Sequence, residues 1–284
     1  MGSEAYWDED PSGLLRVGPG FRLADVDPDA HPGITGGKHA GVKALAEGSK
    51  ILADLQERLF ARSRLGDLRR VLLVIQATDT AGKGGIVKHV MGAVNPQGVQ
   101  LTSFKAPTPE ESQHDFLWRV RRAEPGAGMI GVFDRSHYED VLIARVRNLA
   151  PPDEIERRYD AINGFELSLA ALGTAVVKVM LHISRDEQRT RLQDRLDRPE
   201  KHWKFNPGDI DERERWDEYQ AAYQVAFERT SISYAPWHVI PANRKWYARL
   251  AVQHLLIDAL ESMDLEWPAA DYDVEEQKQR LAAS

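Results

Sequence analysis

The segment from Ala77 to Gly85 reads Ala-Thr-Asp-Thr-Ala-Gly-Lys-Gly-Gly, between the apolar run Val71 to Ile75 and a segment of helical character. A strand, a glycine-rich turn and a helix in that order suit a phosphate-cradling loop. Backbone around Ala81, Gly82, Gly84 and Gly85, with the positive end of the helix dipole, surrounds phosphate oxygens, and the Lys83 ammonium reaches the terminal ones. The common form of such a loop begins with Gly and follows its Lys with Ser or Thr, whose hydroxyl ligates magnesium. Here Ala77 and Gly84 hold those positions, so another oxygen must hold the metal. Asp79, inside the loop, is the nearest hard ligand.

A second signal is the segment Gly131 to Tyr138, an apolar run ending in Asp134, Arg135, Ser136, His137 and Tyr138. A metal-binding carboxylate belongs at such a strand end beside a phosphate loop. An Asp after a strand is as often a helix cap, but paired with Asp79 it could hold one or two Mg²⁺ ions between donor and acceptor phosphates. Phosphoryl transfer asks mainly for alignment and charge neutralisation. Arg135, Arg191, Arg195 and Lys204 are candidates for the neutralising role, although singly each arginine of a mixed-charge run reads as solvated surface. His89 and His114 have no second ligand at a metal-binding interval and read as ordinary helix residues, and most of the seven tryptophans read as core, Trp203 excepted.

Alternating strands and helices must position these groups. Apolar runs at Val71–Ile75, Val99–Phe104, Met129–Phe133, Ala175–Ile183 and Trp237–Ile240 read as strands of a parallel sheet with helices on both faces. Apolar spacing from Gly41 to Arg62 predicts a long amphipathic helix. Thr108, Pro109 and Glu111 form a capping box that predicts a helix running through Phe116, Leu117 and Trp118. Residues 1–37, rich in Gly, Pro and Asp, read as an extended N-terminal arm, and 38–284 as one domain. Within it, 185–230 reads as a mobile lid, two helical stretches flanking a break between Pro199 and Pro207.

At 284 residues and 42% hydrophobic, the chain can bury one substantial α/β core. The absence of cysteine excludes disulfides and thiol chemistry. No apolar run reaches the roughly 20 residues of a membrane span, and the acidic start lacks a signal-peptide pattern, so the expectation is a cytoplasmic protein without a membrane partner. A net charge of −7 argues against a general nucleic-acid binder. Locally, Arg185 to Lys204 carries seven Lys or Arg against five acids, and Arg119, Arg121 and Arg122 form a second basic knot. An acidic protein can hold a polyanion on such patches.

Together these motifs resemble the polyphosphate kinase 2 family, which moves phosphate between inorganic polyphosphate and nucleotides. The likeness spans roughly Lys38 to Leu260. It rests on the loop (Asp79, Gly82, Lys83, Gly84, Gly85), the Phe133–Tyr138 segment and the lid pattern Arg195, Asp197, Pro199, Lys201, Trp203 and Lys204, with Asn95–Gly98 and Ser103–Pro107 in support. The resemblance implies a P-loop kinase fold of the thymidylate-kinase type, a five-stranded parallel sheet flanked by helices with a helical lid insertion. It implies Mg²⁺ on Asp79 and Asp134, Lys83 on the transferring phosphate, and a polyphosphate chain tracked by the lid arginines, Lys105, Lys201 and Lys204. Asn95 and Tyr138 fall to the nucleotide, a nucleoside mono- or diphosphate, and the subunits associate as a dimer or tetramer. The segments around Asn95, Lys105 and His114–Trp118 look like members acting on both AMP and ADP, many of which carry Asn where this chain has Asp134, so the acceptor stays open. Two rivals stand beside this reading. One is an ATP-dependent nucleotide kinase of the same architecture, against which the long cationic lid argues. The other is a non-catalytic nucleotide switch, whose usual Asn-Lys-x-Asp base-reading element is absent.

Overall fold

Five short apolar segments become five parallel strands, and both faces of each central strand are covered. The computed structural model describes residues 7–284. The strands are β1 (Arg70–Ala77), β2 (Val99–Ser103), β3 (Ile130–Asp134), β4 (Thr174–His182) and β5 (Trp237–Pro241), in the order β2-β3-β1-β4-β5. The helices are α1 (Pro11–Leu15), α2 (Lys38–Ser63), α3 (Lys83–His89), α4 (Trp118–Arg121), α5 (Ile143–Val146), α6 (Pro152–Ala171), α7 (Arg185–Asp197), α8 (Gly208–Glu214), α9 (Trp216–Thr230), α10 (Lys245–Glu261) and α11 (Val274–Ala282). None is long and apolar enough to cross a membrane among the described residues.

Side-chain alternation divides the core. Val71, Leu73 and Ile75 join a cluster with residues of α2, α3 and α10, whereas Leu72 and Val74 join one with residues of α6 and α9. Helices α2 and α10 pack closely because Gly41 and Gly48 of α2 leave room for Trp246 and Gln253. The chain leaves β1 toward β2 on one side and β3 toward β4 on the other, so the connections diverge at the carboxyl ends of β1 and β3. An open α/β sheet forms its ligand crevice at such a divergence.

The arm lies against the domain, its residues 1–6 falling outside the described ones. Leu15, Val17, Leu23 and Ile34 are buried, and the Val17 N–H donates to the Trp237 carbonyl at 2.8 Å, which covers the open edge of β5. Asp10, the N-cap of α1, meets His254 Nε2 at 3.1 Å, and Asp258 meets the same nitrogen at 3.2 Å.

One element departs from expectation. The capping box at Thr108 and Glu111 forms, with reciprocal bonds of 2.8 and 3.2 Å, but yields only a 3₁₀ turn, Glu111–Gln113. Ser112, Gln113, His114 and Asp115 are exposed and bury no apolar stripe, and Asp115 starts a new turn by accepting the Leu117 N–H at 3.0 Å. His114 is therefore outside any helix and stacks on Trp118.

Between β4, α6 and α9 lies a buried ionic knot. Lys178 Nζ donates to Glu166 Oε2 at 2.6 Å, to Tyr138 Oη at 2.8 Å and to the Thr230 carbonyl at 2.8 Å, and the Tyr138 hydroxyl donates to Glu166 Oε1 at 2.8 Å. All three ammonium donors are used, which is the condition for a buried charge to persist. Lys178→Met strands the Glu166 carboxylate and is expected to cost about 3–5 kcal/mol in urea unfolding, much of which Lys178→Met/Glu166→Leu recovers. Burial lowers the His254 pKa, but hydrogen bonds and charge from Asp258 and Asp10 outweigh it, and the net shift is upward. A raised folded value stabilises fully below the unfolded imidazole pKa of about 6.5, and the gain fades as pH rises through the folded value. The melting-temperature advantage of the native protein over His254→Gln should therefore shrink between mildly acidic and mildly alkaline buffer; a constant difference removes the ion pair as its cause.

Candidate active site

The loop after β1 has its carbonyls tied from behind. Lys83 Nζ meets the Ala77 carbonyl at 3.3 Å, and Gln188 Nε2 donates to that of Asp79 at 3.3 Å. Arg191 Nη1 donates to Thr80 and Ala81 at 3.0 and 2.9 Å. The Ala81 N–H is taken by the Thr78 carbonyl at 3.2 Å and the Gly85 N–H by that of Gly82 at 2.8 Å, which leaves the amides between them, at the start of α3, as the donors such a loop offers to phosphate. Gly82 sits at φ +122°, which L side chains rarely adopt, and this fixes glycine at the turn into α3.

Arg191 is the centre of this arrangement. Besides the two loop carbonyls, its Nη2 donates to Ala242 and Asn243 at 2.7 and 3.0 Å, and its Nε to Glu187 Oε1 at 2.7 Å. All five guanidinium donors are engaged, and the residue is buried. The expectation that Arg191 contacts the migrating phosphoryl group is therefore corrected: it holds the loop, β5 and lid helix α7 together. Helix α7 is directed there by Ser184, whose hydroxyl caps the Glu187 N–H at 3.1 Å, with Asp186 and Glu187 in the first turn.

In the parallel ladder Asp134 pairs with Ile75, so the β3 carboxylate and the Asp79 loop emerge at the same end of neighbouring strands. Arg135 follows at φ +63° and Thr80 at φ +66°, so two non-glycine residues flanking the crevice adopt a left-handed conformation. Such strain, of order 1–3 kcal/mol each, clusters where geometry serves function. Arg135 Nη2 stands 3.4 Å from Asp79 Oδ1. A cavity of about 240 Å³ opens beside this pair, lined by Asp79, Arg135, Glu139, Asp209, Tyr219 and Tyr223 among others. Burial pushes the Glu139 carboxyl up against the pull of Arg135 and Lys83, and Asp79 pushes it further. Burial and then the Asp79 charge push Asp209 up as well. Crowded carboxylates are a suitable setting for a hard cation that binds a few carboxylates and completes its shell with substrate phosphate and water. The described trio with ligand atoms within 4.8 Å of one another is Asp10, His254 and Asp258 at the arm, not a set in this cleft.

Glu139 and Asp209 escaped the reading of the sequence. Glu139 lies five residues past Asp134, and Asp209 looks like an ordinary helix-start acid; only burial beside Asp79 marks either. Two expected nucleotide contacts are corrected. Tyr138 is fully buried in the Lys178 knot. Asn95 caps the turn Pro96–Gly98 just before β2 and so lies at the amino end of the sheet, whereas the loop lies at its carboxyl end. A five-residue strand, about 17 Å, separates the two ends.

The remaining candidate cations lie on the lid and just past β2. Arg195 Nη1 meets Asp209 Oδ2 at 3.2 Å and donates to the Lys204 carbonyl at 2.8 Å. Lys201 pairs with Asp194, Lys204 lies over the exposed Trp203 ring, and Lys105 is exposed just past β2, its carbonyl held by Arg119 at 2.7 Å. Lysine cannot reproduce the planar five-donor fork of Arg191. Arg191→Lys is expected to lose about 2–4 kcal/mol of stability, at roughly 1 kcal/mol per broken bond, and to lower kcat more than it raises any KM. Unchanged melting and turnover would contradict this role.

Comparison with known proteins places the geometry in context. The family model described as polyphosphate kinase 2 matches residues 37–268. An AMP/ADP-polyphosphate phosphotransferase of Meiothermus ruber is 48% identical over 248 residues, covering 87% of this chain and 91% of its own. An ADP-polyphosphate phosphotransferase of Rhodopseudomonas palustris is 44% identical over 76% of this chain and 78% of its own. The crystal structure of a polyphosphate kinase 2 from Arthrobacter aurescens superposes with a TM-score of 0.97 at 58% identity, covering 99% of each chain.

Proposed function

The chain belongs to the polyphosphate kinase 2 family, and we propose that it transfers the terminal phosphoryl group of inorganic polyphosphate to a nucleoside mono- or diphosphate, reversibly and with Mg²⁺. The carrying observation is the loop at the β1/β3 divergence, its carbonyls tied back by Arg191, Gln188 and Lys83, beside the Asp79–Arg135 pair and under a lid bearing Arg195, Lys201 and Lys204. Residues 38–284 serve as the catalytic domain, with 185–230 as its lid and 1–37 as its arm. The family likeness supports a homo-oligomer at work in the cytoplasm.

In this reading the turn formed by Ala81, Gly82, Gly84 and Gly85 cradles the transferring phosphate, the amides from Gly82 to Gly84 and the Lys83 ammonium donating to it. An oxygen of the acceptor's terminal phosphate bonds to the last phosphorus of the chain, and the bond from that phosphorus to the bridging oxygen breaks, leaving polyphosphate one unit shorter. The attacking oxygen is already ionised, so no strong general base is required. One phosphoanhydride is exchanged for another, which accounts for reversibility. Arg135, held beside Asp79, and Arg195, through exchange of its Asp209 partner, neutralise charge on the equatorial oxygens. Asp79 and Asp134, with Glu139 close to Asp79, would hold the metal, which neutralises and aligns the phosphates when bound. Lys105, Lys201 and Lys204 supply positive charge at the rim.

A donor-by-acceptor matrix tests the reading: with Mg²⁺ and polyphosphate, ADP should yield ATP or AMP should yield ADP, while ATP in place of polyphosphate should be a poor donor. Absence of product with AMP, ADP, GMP and GDP alike would overturn it. Lys83→Ala is expected to reduce kcat by about 10²–10³-fold, the range for removing one preorganised charge-stabilising donor.

A further inference from the structure

The N-terminal arm meets the catalytic end of the sheet at Asn243, just past β5. The Asn243 N–H donates to the Pro28 carbonyl of the arm at 3.1 Å. Its side-chain Nδ2 donates to Asp29 Oδ2 at 3.0 Å and to Ser184 Oγ at 3.3 Å, while its Oδ1 accepts the Ser184 N–H at 3.0 Å. Its carbonyl is one of the two on which Arg191 Nη2 rests, at 3.0 Å. The two ends of this side chain face opposite demands, a backbone N–H and a carboxylate, and a side-chain amide satisfies both.

The arm is braced where it makes this contact. Asp27 Oδ1 accepts the Asp29 N–H at 2.9 Å, Arg244 Nε donates to the Asp29 carbonyl at 2.7 Å, and the Tyr247 hydroxyl donates to that of Pro32 at 2.8 Å. Docking the arm needs none of this polar geometry, since the burial of Leu15, Val17, Leu23 and Ile34 already serves it. On the other side of Asn243, Ser184 caps α7 and Arg191 lies about two turns further along it. Both are held by the peptide around residue 243, so α7 is pinned at two points to the segment that the arm supports.

We propose that Asn243 is a positioning residue for phosphoryl transfer, and that the arm, through Pro28 and Asp29, is the strut that holds it. Asn243 acts through others: it fixes where Ser184 starts α7 and where the Arg191 fork ends. Through Arg191 it fixes the Thr80 and Ala81 carbonyls of the phosphate loop. An exposed carboxylate of the arm is thereby joined to the loop by way of Asn243 and Arg191. Small misplacement of such a loop lowers rate more than binding, because alignment of the reacting groups is what it supplies.

Spatial continuity is not coupling, so the test is a reciprocal exchange. It rests on the phosphoryl-transfer reading, and a second readout separates the two. Asn243→Asp keeps an acceptor for the Ser184 N–H but sets two carboxylates against each other, whereas Asn243→Asp/Asp29→Asn restores a donor facing an acceptor. With Mg²⁺, ADP and polyphosphate, Asn243→Asp is expected to lower kcat about tenfold, with the KM of either substrate within about threefold of native. The double variant should return kcat to within about threefold. A double variant no faster than Asn243→Asp would remove the arm from the path. An unchanged kcat in Asn243→Asp, with only its melting temperature lowered, would reduce the contact to structural support and overturn the assignment. If Asn243→Asp melts early, Asp29→Ala at its exposed position loses the arm's side-chain bond alone and should lower kcat about threefold; an unchanged kcat there counts equally against the strut. Amide hydrogen exchange of residues 188–191 in the substrate-free proteins is expected to be faster in Asn243→Asp and to return to the native rate in the double variant. Should the native protein show no polyphosphate-dependent turnover, the functional reading falls, and exchange still decides the strut: equal rates in all three proteins would overturn it.

Discussion

The five N–H groups of one guanidinium organise the catalytic end of this molecule. A glycine-rich loop has as many carbonyls as amides, and in isolation nothing makes it turn one set outward. Arg191 takes the carbonyls of Thr80 and Ala81 on one side and those of Ala242 and Asn243 on the other, while Glu187 orients it from within α7. The amides from Gly82 to Gly84 are left to the ligand. The same bonds fasten the first lid helix to the loop and to the end of β5, so the loop and lid share one anchor and the exposed turn Pro199–Lys204 projects from it. The sheet makes this possible because the divergence at β1 and β3 opens a crevice in which the anchor's ligands meet.

Charge is managed by pairing rather than by excess. The chain carries −7 overall, yet its lid holds cations, several of them compensated by lid acids: Arg195 by Asp209, Lys201 by Asp194 and Arg198 by Glu200. The exposed Arg198–Glu200 pair contributes little to stability, and the burial that penalises the Asp209 carboxylate eases the exchange of that partner of Arg195 for a phosphate. The buried Lys178 knot belongs to another category: fully desolvated and fully bonded, it holds Tyr138 behind the segment that carries Asp134 and Arg135.

The elements that depend on local pattern were readable. Each predicted strand matches an observed one within two residues at either end, and α2 grows from the spacing of Val42, Leu45, Ile51, Leu52, Leu55 and Leu59. The Thr108 capping box shows where local pattern fails: its hydrogen bonds form, but a cap cannot sustain a helix whose next residues bury nothing. Tyr138 and Asn95 failed for another reason. A motif names residues that travel together, and packing sends Tyr138 into the core and leaves Asn95 at the far end of the sheet.

From its sequence alone this protein was committed to a strand-loop-helix with Lys83 in its turn, to Asp79 after one apolar run and Asp134 at the end of another, and to a cationic stretch, Arg185 to Lys204, that opens the insertion between β4 and β5. Those are facts of residue type and order, and period, glycine and proline reveal them. Tertiary structure alone decided that Arg191 faces backward and not toward substrate, that Glu139 and Asp209 crowd Asp79, and that Asp29 of the arm meets Asn243 past β5. These depend on where segments distant in sequence dock, and a side chain's charge does not disclose whether its partner will be a carbonyl, a carboxylate or an amide.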